Sequence, residues 1–483
     1  MKSILFTLTA LVMGLSLRAQ VQTPVIVQED TFSSIYTGGL WLDTQDGYSM
    51  ITRKNGYGIT YVRLDSALTV SSEYYPYRSS SVDDAFRTSD GGIIISGHKV
   101  NLDNTRVLSI IKLDSAGKYL WQSYSNFVST INFGRGAAQV AADTFVAIGR
   151  NYKLGYYSAI TLSKFDKQGG MVWDREYIRT DGTTYGIDIE TTSDGNYLSM
   201  AQFFPSDTVG PSVWLLRTNT SGDSLSSSYL GGRYDMAHSL LKTTDSNFLV
   251  VTTENWQLPA NWFKHAIRVH KVTPTGDVLW SQRYMYLDDD SSCLSLRAVR
   301  ARATSDGGCV IVGDISGTAA DTAGGHLYLL KIAPDGTKQW EMTLGTPDSE
   351  EAADVYQIPG GGYLVSATSW AYPAQGTPIP YMYVARLSTD NTTAISQPAL
   401  TFPVSVRPNP FDTRLEVEIS LTQPGTIQAD LYDMQGRRVR SLIEPGRSGA
   451  QILSLDTAQL PAGTYVLHVS ADGKTWRGAV VRR

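Results

Sequence analysis

Cysteine is almost absent: Cys293 and Cys309 are the only two in 483 residues. A small disulfide-stapled scaffold is excluded, and no Cys/His spacing fits a metal site. Charge is scarce too. Asp, Glu, Lys and Arg make up 18% of the chain, with a net charge of −5 and no basic run. That gives no nucleic-acid partner, and it is unlike a coiled coil or a disordered chain. Beyond the N-terminus no stretch has the ~20 apolar residues that a membrane-spanning helix needs. No long helical period occurs. The signatures HExxH, Gly-x-Ser-x-Gly and the P-loop are missing. The six histidines (His98, His238, His265, His270, His326, His468) are scattered. No cofactor and no metal is expected.

What is present is Gly, Ser, Thr and Tyr in abundance, which suits an extracellular β protein. The length exceeds what one core supports, so at least two domains are expected. Residues 1–19 read as a signal peptide: Lys2, then the apolar stretch Ile4 to Leu17, then Leu17-Arg18-Ala19 as the cleavage site. Export permits a disulfide. However, a hairpin centred on Thr304-Ser305-Asp306-Gly307 sets Cys309 opposite about Ala303, far from Cys293. That favours two buried thiols over a bridge.

Internal repeats carry the fold. One copy runs Thr88-Ser89-Asp90-Gly91-Gly92-Ile93-Ile94-Ile95-Ser96-Gly97, followed by Ile110-Ile111-Lys112-Leu113 and a turn into Trp121. Thr304 to Gly313 begins another, ending at Trp340. Others start at Asp46-Gly47, Asp143-Thr144, Asp194-Gly195, Asp245-Ser246 and Gly360-Gly361, making seven copies about fifty residues apart. Each copy reads as four strands: one before the Asp-Gly turn, an apolar run after it, a run centred on a cation, and a tryptophan strand. Four-stranded units repeated seven times predict an all-β chain with a seven-bladed β-propeller. The last copy lacks its fourth strand after Ser388, and Val25 to Glu29 is the spare run that supplies it.

The third strand of each copy carries a cation: Arg63, Lys112, Lys164, Arg217, Lys271, Lys331 and Arg386. These are expected to lie along the blade and pair with turn carboxylates such as Asp114 or Asp166. The tryptophans are expected to pack blades. The Gly-x-x-x-Trp ending (Gly117 to Trp121, Gly276 to Trp280, Gly336 to Trp340) resembles the repeat of quinoprotein-like propellers. The dehydrogenases of that family use adjacent cysteines and a calcium site. Here the cysteines stand sixteen residues apart, so the quinone cofactor is not carried over.

Strand order puts the short turns on one face and the long, variable loops on the other, where function is expected. Those loops are rich in aromatics, and Trp256, Trp262, Trp370 and Tyr156 are the candidate ligand-binding residues. Asp288 to Asp290, with Asp348, Glu350 and Glu351, form acidic crossovers that lack the spacing of a calcium loop.

Repeats stop near Ser388. A polar linker (389–401) leads to short alternating strands from about Phe402 to Arg483, as in a small Ig-like β-sandwich. Pro408-Asn409-Pro410-Phe411, Leu431 to Gly436 and Arg437, Leu460-Pro461-Ala462-Gly463-Thr464-Tyr465, and Val480-Val481 follow in order. Together they resemble the type A C-terminal sorting domain of the type IX secretion system. The chain thus divides into a signal peptide at 1–19, a propeller at 20–388 and, by the resemblance, a sorting domain at 402–483 for which the propeller is cargo. It also implies partnership with the secretion machinery, and a final location outside the cell or on its surface, reached through the periplasm. Family tails often carry a lysine near the final valines, where Arg477 and Arg482 stand here. For the ring, the favoured reading is a non-catalytic module that binds an extracellular glycan or protein. The alternative is a secreted hydrolase or lyase with carboxylates, Asp289 or Glu351 among them, converging on a central acidic site.

Overall fold

The structure, a computed structural model, describes residues 25–388 and 404–483. Excepted are 33–35, 44–46, 55–57, 67, 78–80, 130–132, 153–157, 207–211, 232–234, 258–262, 287–294, 317–324, 346–348, 360, 372–378, 409, 422–424, 433–437 and 472–473. The expected signal peptide and linker lie outside the described residues. Two compact units divide the chain, Met1–Asp390 and Asn391–Arg483.

Among the described residues the first unit contains seven four-stranded antiparallel sheets and no helix. Strand β1 (Val25–Phe32) belongs to the last of them. Sheet I holds β2 (Tyr36–Asp43), β3 (Tyr48–Lys54), β4 (Gly58–Leu64) and β5 (Val70–Tyr77). Sheet II holds β6 (Asp84–Arg87), β7 (Ile93–Val100), β8 (Arg106–Leu113) and β9 (Tyr119–Ser129). Sheet III holds β10 (Phe133–Ala141), β11 (Thr144–Tyr152), β12 (Ser158–Asp166) and β13 (Met171–Tyr177). Sheet IV holds β14 (Gly182–Thr191), β15 (Tyr197–Pro205), β16 (Ser212–Thr218) and β17 (Ser224–Leu230). Sheet V holds β18 (Met236–Lys242), β19 (Phe248–Gln257), β20 (Phe263–Val272) and β21 (Val278–Tyr284). Sheet VI holds β22 (Ser295–Ala303), β23 (Cys309–Ser316), β24 (His326–Ile332) and β25 (Lys338–Leu344). Sheet VII holds β26 (Ser349–Gln357), β27 (Tyr363–Ala371) and β28 (Ile379–Ser388), with β1 as its fourth strand. β1 runs antiparallel to β28, from Val25 opposite Ser388 to Phe32 opposite Met382. The spare run thus pairs where the sequence places it, and it covers the outer edge of β28.

Side chains alternate along a strand, so one covered on both faces reads as a continuous apolar run. Ile93, Ile95 and Ile111 pack with Ile59 and Tyr61 of sheet I, while Ile94 and Ile110 pack with Phe145 and Ala147 of sheet III. Similar layers join each sheet to the next. The last joins VII back to I, with Leu364, Met382 and Val384 against Trp41, Met50 and Val62. The circuit of sheets is therefore closed.

The leading strands are neighbours in sequence around this circuit. Several carry a bulge, at Gly186/Asp188, Ala237/Ser239, Ala298/Arg300 and Ala352/Asp354. A bulge takes an amide out of the ladder. Side chains of the preceding sheet accept from such amides. Asp188 Oδ2 accepts from Leu240 N at 2.8 Å, Ser239 Oγ from Ala301 N at 3.0 Å, and Asp354 Oδ2 from Trp41 N at 2.9 Å. Second strands do the same: Gln202 Oε1 with Ala237 N at 2.7 Å, Thr253 Oγ1 with Ala298 N at 3.0 Å, Asp314 Oδ1 with Ala352 N at 2.8 Å.

The third-strand cations pair with carboxylates, but not with the expected ones. Lys112 meets Asp90 at 2.7 Å, Lys271 meets Asp245 at 2.6 Å, Lys331 meets Asp306 at 2.8 Å, and Arg217 meets Asp194. All four acids lie in the turn between strands one and two. Asp114 is occupied by its own turn, accepting from Ala116 N at 2.9 Å and Lys118 N at 2.8 Å. Asp166 does likewise with Gln168 N and Gly170 N. Lys164 instead donates to Tyr197 Oη of the next sheet at 3.0 Å.

The tryptophans lock neighbouring sheets. Trp121 Nε1 donates to Lys167 O at 2.9 Å and Trp173 Nε1 to Thr220 O at 3.1 Å. A Cβ on Gly336, which has φ +84°, would stand 3.1 Å from the Trp280 ring of the preceding sheet. Cys309 is free, buried and opposite Ala303, and burial pushes its thiol up to about 12. Cys293 lies outside the described residues.

The second unit has a three-stranded sheet of β29 (Val404–Arg407), β30 (Arg414–Leu421) and β33 (Gly449–Asp456). A four-stranded sheet holds β31 (Gly425–Tyr432), β32 (Arg438–Gly446), β34 (Gly463–Ala471) and β35 (Lys474–Arg482). Alternate residues Leu415, Val417 and Ile419 meet Leu431, Leu467 and Val480 in one core. Phe411 is fully buried in that core. It is tied to the last strand by Phe411 N to Val481 O at 2.8 Å and Arg483 N to Phe411 O at 3.0 Å.

Candidate functional site at the channel mouth

Charged side chains of the leading strands meet inside the circuit. Arg300 of sheet VI reaches sheet II, with Nη1 donating to Asp84 Oδ1 at 3.0 Å and Nη2 to Asp83 O at 2.8 Å. Arg302 grips Asp354 with two hydrogen bonds, 3.1 and 2.7 Å. Such forked, charge-assisted pairs fix both partners. Burial, reinforced by Asp84, pushes Asp188 up to about 7, and burial with Asp188 pushes Glu190 up to about 8. Burial holds His238 down at about 4, helped by Arg297 and Arg135, and its Nε2 lies 2.8 Å from Thr253 Oγ1. These acids are therefore paired, occupied by amides, or shifted toward the neutral form.

Beside Arg300 opens a cavity of about 300 Å³. Arg53, Val82, Asp83, Ala353 and Thr368 also line it. Arg53 and Thr368 lie toward the ends of second strands, and Val82 and Asp83 just before a leading strand, on the face that bears the long loops, while Arg300 and Ala353 stand in the middle of leading strands. Asp83 links the cavity to its rim: its carboxylate accepts from Ser81 Oγ at 2.8 Å and stands 3.7 Å from both His98 Nδ1 and Arg135 Nη1. Ser81 Oγ also lies 2.6 Å from His98 Nδ1. Serine and aspartate thus share one imidazole nitrogen. A hydrolytic relay needs them on opposite nitrogens, so this trio is not one.

Next to it, the guanidinium carbons of Arg106 and Arg150 lie 4.6 and 4.5 Å from the centroid of Phe133. Arg150 also lies 4.2 Å from the Tyr185 centroid. Each such contact contributes about 0.5–2 kcal/mol, according to how dry it is. Among the described residues no cluster of three or more His, Cys, Asp or Glu is placed to hold a metal ion.

The loop aromatics fare unevenly. Strands run further than their sequence suggests, because pairing continues as long as both neighbours stay extended. Trp370 and Trp256 therefore lie in β27 and β19 rather than in loops. Trp370 is half-buried, and its indole N–H is buried without an acceptor. The Trp256 side chain, Tyr156 and Trp262 lie outside the described residues, as do Asp288 to Asp290 and Asp348. Glu350 is buried, accepts from Ser369 and faces His326 at 3.2 Å, and Glu351 is exposed. In the second unit Pro408 and Pro410 are exposed, Gly463 has φ +154°, and Tyr465 Oη donates to Pro461 O at 2.6 Å. Asn409, Gly436 and Arg437 lie outside the described residues. Sequence reasoning missed Arg106, Phe133, Arg150 and Tyr185. The available signal was that three of them stand at or near the start of a strand, and Arg150 near the end of one, so consecutive repeats bring all four to one face.

Residues 405–482 match a family model described as the secretion system C-terminal sorting domain. The chain is therefore exported by the type IX system to a secreted or cell-surface location, and that system's machinery is its partner. No curated protein matches the chain. Among solved structures, a PL25 ulvan lyase bound to -[GlcA(1-4)Rha3S]- is 10% identical, with a TM-score of 0.50 over 74% of this chain and 96% of that one. At that identity the likeness concerns the fold alone. A prolyl endopeptidase is 11% identical with a TM-score of 0.42, covering 82% of this chain and 54% of that one. An endo-arabinase from Bacteroides thetaiotaomicron is 13% identical with a TM-score of 0.30, covering 50% and 88%. Neither of these last two likenesses is close enough to support an argument. No helix among the described residues is long and apolar enough to cross a membrane.

Proposed function

We propose that the chain is type IX cargo whose first unit is a seven-bladed β-propeller that binds an extracellular glycan without cleaving it. Residues 20–388 would form the propeller, with the quinoprotein-like Gly-x-x-x-Trp ending as its blade-to-blade lock. Residues 389–401 would be the linker and 402–483 the sorting domain. The observation that carries the binding reading is the cavity of about 300 Å³ lined by Arg53, Asp83 and Arg300, together with the neighbouring recess in which Arg150 rests on Phe133. Aromatic faces suit the C–H faces of sugars, and forked arginines suit their polar groups. A polysaccharide lyase shares the fold, which is in keeping with a sugar ligand. A central acidic hydrolase or lyase needs carboxylates free to move protons. Asp84 and Asp354 are bound by arginines, which leaves Asp188, already accepting from two backbone amides, and Glu190 as the acids such an enzyme would have to use.

The test is a glycan array and affinity gels with the purified full chain, alongside assays for polysaccharide breakdown. Retention on a glycan with no new chain ends is expected. Breakdown that is lost in an Asp188→Asn variant would overturn the non-catalytic reading.

A further inference from the structure

Several arginines elsewhere in the first unit come with a carboxylate. Arg268 and Arg283 share Glu254, Arg179 has Asp181, and Arg302 has Asp354. Those at the loop-bearing ends of sheets II, III and IV are held differently. Arg106 opens β8 and Arg150 stands opposite Phe133 in the register of β10 and β11. Their guanidinium groups rest against Phe133, and Arg150 also against Tyr185, which in turn lies 5.1 Å from Phe204. His98 meets the same Phe133 edge-on at 4.7 Å. Neither Arg106 nor Arg150 has a carboxylate partner among the described residues. Arg135 is close by, with only Asp83 at 3.7 Å. Among the described residues, three cations thus face one acid.

A ring face holds a guanidinium in place but leaves its charge uncompensated. It also leaves the planar N–H edge free for a forked acceptor. Arg106, Phe133, Arg150 and Tyr185 are all half-buried, so this charge sits in a partly dry recess. Desolvation lowers the Arg150 pKa; Tyr185 offsets part of that, while Arg135 and Arg106 lower it further. An anion would relieve that repulsion. The recess adjoins the cavity through Asp83, so an extended ligand can occupy both.

We propose that Arg106, Arg150 and Arg135, set around Phe133 and Tyr185, form a subsite for the acidic groups of an anionic polysaccharide, whether carboxylates or sulfate esters. This rests on the glycan-binding reading and adds the ligand's charge. A nucleic acid is disfavoured by the net charge of −5 and the lack of any basic run.

The experiment is affinity electrophoresis of the full chain in gels holding polygalacturonate (carboxylate only), carrageenan (sulfate only) or dextran (neutral). Arg106→Gln, Arg150→Gln and the double variant are run beside wild type. Lys118→Gln, exposed in a turn on the opposite face, is the control. Retardation by one or both acidic gels is expected. It should weaken at least tenfold in the double variant, stay unchanged in the control, and fall with added salt. Which acidic gel works identifies the anion. If Arg150→Gln does not fold, by its melting curve, Arg106→Gln with Arg135→Gln carries the same comparison. Retardation by dextran alone, or acidic binding equal in wild type and variants, overturns this subsite while leaving glycan binding standing. Retardation by no gel, with a blank glycan array, overturns both.

Discussion

Asp188 accepts from Ile189 N at 2.9 Å and Leu240 N at 2.8 Å, and its burial disfavours its charge. With its pKa raised to about 7 against an ordinary 3.8, the folded chain holds an extra proton between those values. Stability from this group is therefore present at low pH and lost as pH rises through that window. His238 and His270, both held at about 4 by burial, act in the opposite direction. For them the unfolded chain takes the extra proton, and stability is lost as pH falls from about 6.5 to 4. Asp188→Asn should thus gain in unfolding free energy relative to wild type as pH goes from 5 to 7, by at most about 1.4 kcal/mol per pH unit, read from denaturant melts. A difference that stays flat with pH would show that Asp188 is ionised throughout. Ser246 gives a second residue-scale prediction. It adopts φ +66° in the hairpin position that Gly91, Gly195 and Gly307 hold in other repeats. Ser246→Gly removes that strain, and a stabilisation of about 0.5–1 kcal/mol should appear in denaturant melts. A loss of stability would contradict it.

Strands and turns were the legible part of the sequence. Ile93-Ile94-Ile95 marks a strand covered on both faces, and Thr304 to Gly307 marks a hairpin whose register sets Ala303 opposite Cys309. The short uniform turns followed from Asp-Gly pairs. The binding recess was not legible, because no local pattern brings together Arg106, Phe133, Arg150 and Tyr185. Each belongs to a different strand: Phe133 and Arg150 face each other in the register of β10 and β11, and packing between sheets brings Arg106 and Tyr185 to them. The choice of Asp90 over Asp114 as the partner of Lys112 was hidden for a related reason, since it depends on which acid its own turn has already satisfied. The element that matters most for closure is β1. Removing residues 25–32 exposes the outer edge of β28 along its whole paired length. The shortened chain should melt more than about 5 °C lower and associate at high concentration, as seen by size-exclusion chromatography. A monomer with unchanged melting would mean that the ring does not need that strand.

Across the whole molecule, two different kinds of sequence signal met with different success. Repeats about fifty residues long point to a ring of sheets, yet say little about what the ring holds, since the same packing serves many ligands. The C-terminal segment is the reverse. Its motif order names a destination, and the structure shows why those pieces go together: Phe411 is buried and hydrogen-bonded to Val481 and Arg483, while Tyr465 packs 6.3 Å from it. The segments that begin and end the domain hold each other, so loss of the final strand should unmake the signal as a unit.

The most direct measurement compares the intact chain with one ending at Asp390, both expressed in a host that has the type IX system. Each is followed by immunoblot in periplasm, at the cell surface and in the medium. The intact chain is expected at the surface or in the medium, and the truncated one is expected to stay in the periplasm as a folded ring. Equal distribution of the two would contradict the account, because the second unit would then be something other than the ring's export signal.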